Sequence, residues 1–328
     1  ASGTNALTVT LASVSSTSST GKGINIDAAT GTLSISGGAI SGSAAEAFDL
    51  NAGSAVISYA GTVAKTSAGR LIDITSRTAG NVTLSGNLNC TSPCTGINVA
   101  SNSGGTIAFS AVTKTLNTGT SNAVTLATNT GATINFSGGG LDIDTTSGVG
   151  FSVSGGGTVS VQGTGNSIAS STGTALSVAS TTIGASGLTF QSISANGAAN
   201  GIVLNATGAS GGLTVTGSGG AGTGGTIQNV TNNAISLTAT RDASFSRMVI
   251  SNTGAPAVFG TGVVNFALTD SSLSNIANAD NENAIDFGIL AVQNITGVLT
   301  LTNVSVTGFH ENGLSVNNNS GSVTVTVT

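Results

Sequence analysis

Gly96-Ile97-Asn98-Val99 is answered by Ala123-Val124-Thr125-Leu126 and then by Gly150-Phe151-Ser152-Val153, a small residue followed each time by apolar, polar, apolar. Outward from these three, the pattern recurs twelve times along the chain. Its first apolar positions are Ile24, Phe48, Ile72, Ile97, Val124, Phe151, Leu176, Ile202, Ile235, Val258, Ile285 and Leu314. Successive spacings cluster near roughly 25 residues, the length of one coil of a three-sided parallel β-solenoid.

A second strand follows each first one, usually introduced by Gly, as in Leu33-Ser34-Ile35, Val82-Thr83-Leu84, Ile107-Ala108-Phe109 and Leu299-Thr300-Leu301. A third precedes the next coil, as in Ile227-Gln228-Asn229, Ile250-Ser251-Asn252 and Leu273-Ser274-Asn275. Alternation of period two turns the apolar pair of each triplet inward and its middle residue outward. The expected fold is all-β: a right-handed parallel β-helix of about twelve three-strand coils, continuous over residues 1–328.

The outward column of the first strand tests this register, because stacking superimposes equivalent positions at about 4.8 Å. It reads Asn25, Asp49, Asp73, Asn98, Thr125, Ser152, Ser177, Val203, Ser236, Phe259, Asp286 and Ser315, polar except at Val203 and Phe259. At Phe259 the inward pair is expected to shift to Ala257 and Phe259. Tight corners need positive φ or close backbone approach, so Gly138–Gly140, Gly155–Gly157 and the Gly-rich stretch 217–225 are assigned to corners. Asn196, Asn229 and Asn252 each lie six residues before a first-strand position. Their amides are expected to stack as a ladder along the axis, Asn being tolerant of the left-handed conformation.

Composition sets the function classes. The chain carries 7 Lys+Arg against 12 Asp+Glu, so no basic face is expected to receive nucleic acid or an anionic membrane surface. Mean hydropathy is +0.34 with only 6% charged residues, which is not the composition of a disordered chain. No apolar run approaches the roughly 18 residues of a membrane helix, so no membrane insertion is expected. The first residue is Ala, read as the start of a mature product or excised segment. Ala6-Leu7-Thr8-Val9 and Val323-Thr324-Val325 read as second-type strands without caps. The expectation is that the solenoid continues or that copies stack head to tail.

The only cysteines, in Asn89-Cys90-Thr91-Ser92-Pro93-Cys94, flank a Pro-containing turn and are expected to form a loop disulfide, which places the chain in an oxidising compartment.

The triplets and Gly-introduced strands resemble the parallel β-helix repeats of large secreted bacterial surface proteins of the adhesin type. Segments 104–109, 114–119 and 131–145 are similar to stretches common in giant bacterial β-strand-repeat proteins. The resemblance implies a secreted, cell-surface rod, stalk or filament subunit, and it transfers no active site.

Pectin-degrading enzymes share such a coil, so a carbohydrate-cleaving or carbohydrate-binding alternative has to be placed on residues. Asp49 and Asp73 occupy one outward column on adjacent coils, with Arg70 and Arg77 flanking Asp73. The Gly-His-Gly and Arg-Ile-Lys patterns of the hydrolases are missing, and aromatic platforms for sugar are nearly absent at 3% Phe, Trp and Tyr. No catalytic residue and no cofactor is therefore assigned. For calcium, the weak candidates are Asp142 with Asp144, and Asp270, Asp280, Glu282 and Asp286 around an Asn-rich insertion. The single His310 is read as an exposed corner residue.

Overall fold

A computed structural model describes residues 6–276, 283–287, 295–318 and 321–328. Among them every regular element is a β-strand, and every strand pairing is parallel. The strands wind into a three-faced solenoid. All twelve first strands form one sheet, in strict chain order from Ile24–Asp27 to Ser315–Val316. The second and third faces are counted as one 23-stranded sheet, because Val263–Ile276 and Ile295–Phe309 run without a break around the corner between them.

The register follows the sequence pattern. Ile24 pairs with Phe48, Phe48 with Ile72, Ile72 with Ile97, Ile97 with Val124 and Val124 with Phe151. The wider spacing from Ile202 to Ile235 leaves the pairing intact, because the extra residues are looped out at corners. Parallel stacking brings like positions together, so each apolar triplet column becomes a continuous inner wall. Ile72, Ile97, Val124, Phe151 and Leu176 are all fully buried. Aromatic rings thread this core: Phe109 stacks on Phe136 at 4.7 Å, and Phe136 meets the edge of Phe151 at 5.4 Å.

Two expectations are corrected. Phe259 stays outward and half-exposed while Val258 is fully buried, so no shift occurs. The second inward position of that strand is Gly260, and a Cβ there would lie 2.3 Å from the Phe287 ring of the next coil. Phe287 fills the space that a larger residue would occupy in other coils. Near the C-terminal side, Leu299-Thr300-Leu301 pairs with Val325-Thr326-Val327, a register two residues beyond Val323-Thr324-Val325; Val323 packs against the core, whereas Val325 and Val327 are exposed.

The corner after the first face departs most from expectation. Its left-handed residue is Gly only at Gly155 and Gly262; in eight other coils it is Ala28, Ala52, Ser76, Ser101, Thr128, Ser180, Ala206 and Ala239, with φ between 46° and 58°. Left-handed backbone in an L-residue costs roughly 1–2 kcal/mol. Here each such N–H donates to the carbonyl at the end of the next first strand, as in Ala52 to Thr75 at 2.8 Å and Thr128 to Ser154 at 2.8 Å. Ladders on both sides of the corner hold the conformation in place.

Candidate functional site

The polar face best formed for chemistry lies at the N-terminal end of the first face. Outward residues there line an open groove of about 300 Å3, formed by Lys22, Asn25, Asp27, Asp49, Asn51, Asp73 and Thr75. Asp49 and Asp73 are direct register partners, as their shared column requires. The charge that offsets them is Lys22: its Nζ lies 2.7 Å from Asp49 Oδ2 and 3.9 Å from Glu46 Oε2. The Asp49 side chain is only 6% exposed. Burial pushes its carboxyl upward, against the opposing pull of Lys22, and the hydrogen bond to Asp49 raises Lys22 in turn.

Neither flanking arginine joins this pair. Arg70 Nη1 donates to the Thr95 carbonyl at 2.8 Å. Arg77 is a correction: it is the residue that follows the left-handed Ser76, and it points into the solenoid, fully buried. Asp73 instead accepts from Asn98 Nδ2 at 2.7 Å, Asp27 from Asn51 Nδ2 at 2.8 Å, and Asn51 Oδ1 from Thr75 at 3.1 Å. The groove thus holds carboxylates and amides whose bonds run from coil to coil.

The calcium candidates are not brought together. Asp142 and Asp144 emerge on one face as expected. Asp142 Oδ1 accepts from Ser167 at 2.7 Å, and burial, with the neighbouring Asp142, raises Asp144. Asp270 sits at a left-handed corner, accepting from Asn303 Nδ2 at 2.9 Å with Arg247 3.8 Å away. Asp286 is on the first face, fully buried and opposite Phe259 and Ser315. Asp280 and Glu282 lie outside the described residues. Among the described residues no group of three or more His, Cys, Asp or Glu side chains is arranged to hold a metal ion.

The amide ladder is present and one rung longer than expected. Asn229 Nδ2 donates to Asn196 Oδ1 at 2.7 Å, Asn252 to Asn229 at 3.0 Å, and Asn275 to Asn252 at 2.8 Å. Asn229, Asn252 and Asn275 all have φ between 52° and 55°. Asn275 carries the same signal as the others, closing Leu273-Ser274-Asn275. Cys90 and Cys94 are joined in a disulfide with their Cα atoms 5.6 Å apart, and both are buried.

What the sequence reading missed lies inside. Lys65, Arg77 and Lys114 are all fully buried, and each is spent on main-chain carbonyls. Lys65 Nζ donates to the carbonyls of Ser43 and Ala45 and to Ser67 Oγ. Arg77 donates to Ala52, Ala55 and Ala79. Lys114 Nζ donates to Ala111, to Ser137 at 2.9 Å and to Gly139 at 2.7 Å. Corners turn some carbonyls inward, where the parallel ladders leave no N–H to meet them, and a buried carbonyl must find a donor. Side chains with donors and no acceptor serve best. Alternation held the signal: in Thr62-Val63-Ala64-Lys65 the lysine shares the inward side with Val63, and in Lys114-Thr115-Leu116 with Leu116.

No protein-family model, curated protein or solved structure matches the chain. No helix among the described residues is long and apolar enough to cross a membrane.

Proposed function

We propose that this chain is a non-catalytic structural rod of the extracellular surface, working as a filament subunit, stalk or adhesin shaft that associates with further coils of the same kind. One observation carries the reading. The polar side chains are bonded along the axis, coil to coil: Asp27 to Asn51, Asp73 to Asn98, Asn135 to Ser160, Asn196 through Asn275, Asp242 to Asn265 and Asp270 to Asn303. Groups engaged this way stiffen the stack and are not displayed to a ligand. The buried disulfide supports an oxidising, secreted location.

Negative-stain electron microscopy over a concentration series tests the proposal. Twelve coils at about 4.8 Å give about 60 Å per chain. The expected result is filaments with that axial repeat.

The open groove around Asp49 and Asp73 supports a second reading, a carbohydrate-binding or carbohydrate-cleaving face. Single rods at every concentration, together with glycan binding or pectate cleavage that Asp73→Ala abolishes, would overturn the first reading in favour of the second.

A further inference from the structure

The two buried lysines are held differently from an ordinary ion pair. Among the described residues neither is in an ion pair, and each ammonium is ringed by oxygens that carry no net charge. Around Lys114 these are the carbonyls of Ala111, Ser137 and Gly139. The ring is built by backbone turned through Gly138, Gly139 and Gly140, with φ of 83°, 73° and 61°. Around Lys65 they are two carbonyls and the Ser67 hydroxyl, which itself donates to Ser43 O at 2.7 Å.

Convergent carbonyl oxygens are the donor set that strips and holds a monovalent cation in a potassium filter. Calcium sites take about six to eight oxygens with carboxylates among them, whereas the oxygens bonded to Lys114 Nζ are three neutral carbonyls. Asn166 shows what a corner looks like when an amide does this work. Its Nδ2 is shared among Gln162, Gly163 and Thr189 at 3.0–3.3 Å, so two N–H groups serve three carbonyls at longer range.

We propose that the inner corners at Lys65 and Lys114 are monovalent-cation sites which the chain fills with its own ammonium groups, and that a potassium ion takes the cage when the lysine is cut back. Lys65, Arg77 and Lys114 thus sit inside on carbonyls, while Lys22, Arg241 and Arg247 sit outside on carboxylates.

The test is thermal unfolding of the full chain carrying Lys114→Ala, in potassium chloride and in choline chloride at equal ionic strength, with Lys114→Met as the companion whose thioether blocks the cage. The expected result is a lowered Tm for Lys114→Ala in choline that potassium largely restores, while Lys114→Met is lowered equally in both salts. Thallium(I), as a heavy stand-in, is expected to give an anomalous peak in the Lys114→Ala cage. Equal loss in both salts, no loss at all, or equal potassium rescue of Lys114→Met would overturn the proposal. If Lys114→Ala folds in neither salt, the same comparison on Lys65→Ala decides it.

Discussion

The two halves of the solenoid solve one problem from opposite sides. In the N-terminal half the corners are satisfied from within, by Lys65, Arg77, Asn102, Lys114, Asn129 and Asn166, all buried. In the C-terminal half the polar side chains at the corners stand outside and bond to one another from coil to coil, in the exposed ladder Asn196–Asn229–Asn252–Asn275 and in Asp242–Asn265 and Asp270–Asn303. The inner corner there is left to small hydroxyls such as the buried pair Thr207 and Thr240. The same backbone period tolerates both solutions, but their energetics differ. A buried donor that is lost leaves its carbonyls dry, whereas an exposed one is replaced by water.

That contrast can be broken by measurement. The largest effect is expected at Arg77→Met, which strands the carbonyls of Ala52, Ala55 and Ala79. At about 1–3 kcal/mol per unsatisfied buried group, the loss should be about 3 kcal/mol or more, read as a lower urea midpoint at unchanged slope. A loss under about 1 kcal/mol would remove the distinction between the halves. Asn102→Ala comes next. It removes the acceptor for the Arg77 N–H and the donor to Asn129 Oδ1 and the Ile74 carbonyl, so a loss of about 2 kcal/mol is expected in the same assay.

A pH titration sharpens the comparison without mutation. Burial lowers Lys114 to about 8, from 10.5 when unfolded, and lowers Lys65 as well. Between about pH 8 and 10.5 the unfolded chain binds more protons than the folded one, so stability should rise with pH across that window. A gain of roughly 3 kcal/mol is expected, at about 1.4 kcal/mol per pH unit between the folded and unfolded values of Lys114, and Lys114→Met should remove most of it. The smallest effect belongs to the outer ladder. Asn252→Ala should cost under about 1 kcal/mol, because water takes over the amide's partners. A loss equal to that of Asn102→Ala would show that stacking, not burial, sets the scale.

The period and the inward triplets were legible because each coil restates them, and a single irregular coil cannot hide twelve repetitions. Phe259 misled because its own strand offers Gly260 as the inward residue. Only the next coil, through Phe287, shows how that space is filled. The carboxylates Asp49 and Asp73 were placed correctly in one column. Their cation was assigned to nearby Arg70 and Arg77 instead of Lys22, one coil before Asp49. The buried cations went unread because a charged residue is ordinarily assigned to water, even where Val63 and Leu116 show that alternation points it inward. The left-handed Ala, Ser and Thr corners carry no mark in a single coil. They are imposed by hydrogen bonds from the coil that follows.

The axial direction of those bonds has a mechanical consequence. Stretched along its length, the solenoid loads the ladder between one coil and the next in tension, and the length released by one interface lowers the load on the others. Each coil that lets go frees roughly 25 residues, about 80 Å of extended chain in place of about 4.8 Å of rod. A solenoid pulled this way lengthens in steps, taking up the load coil by coil.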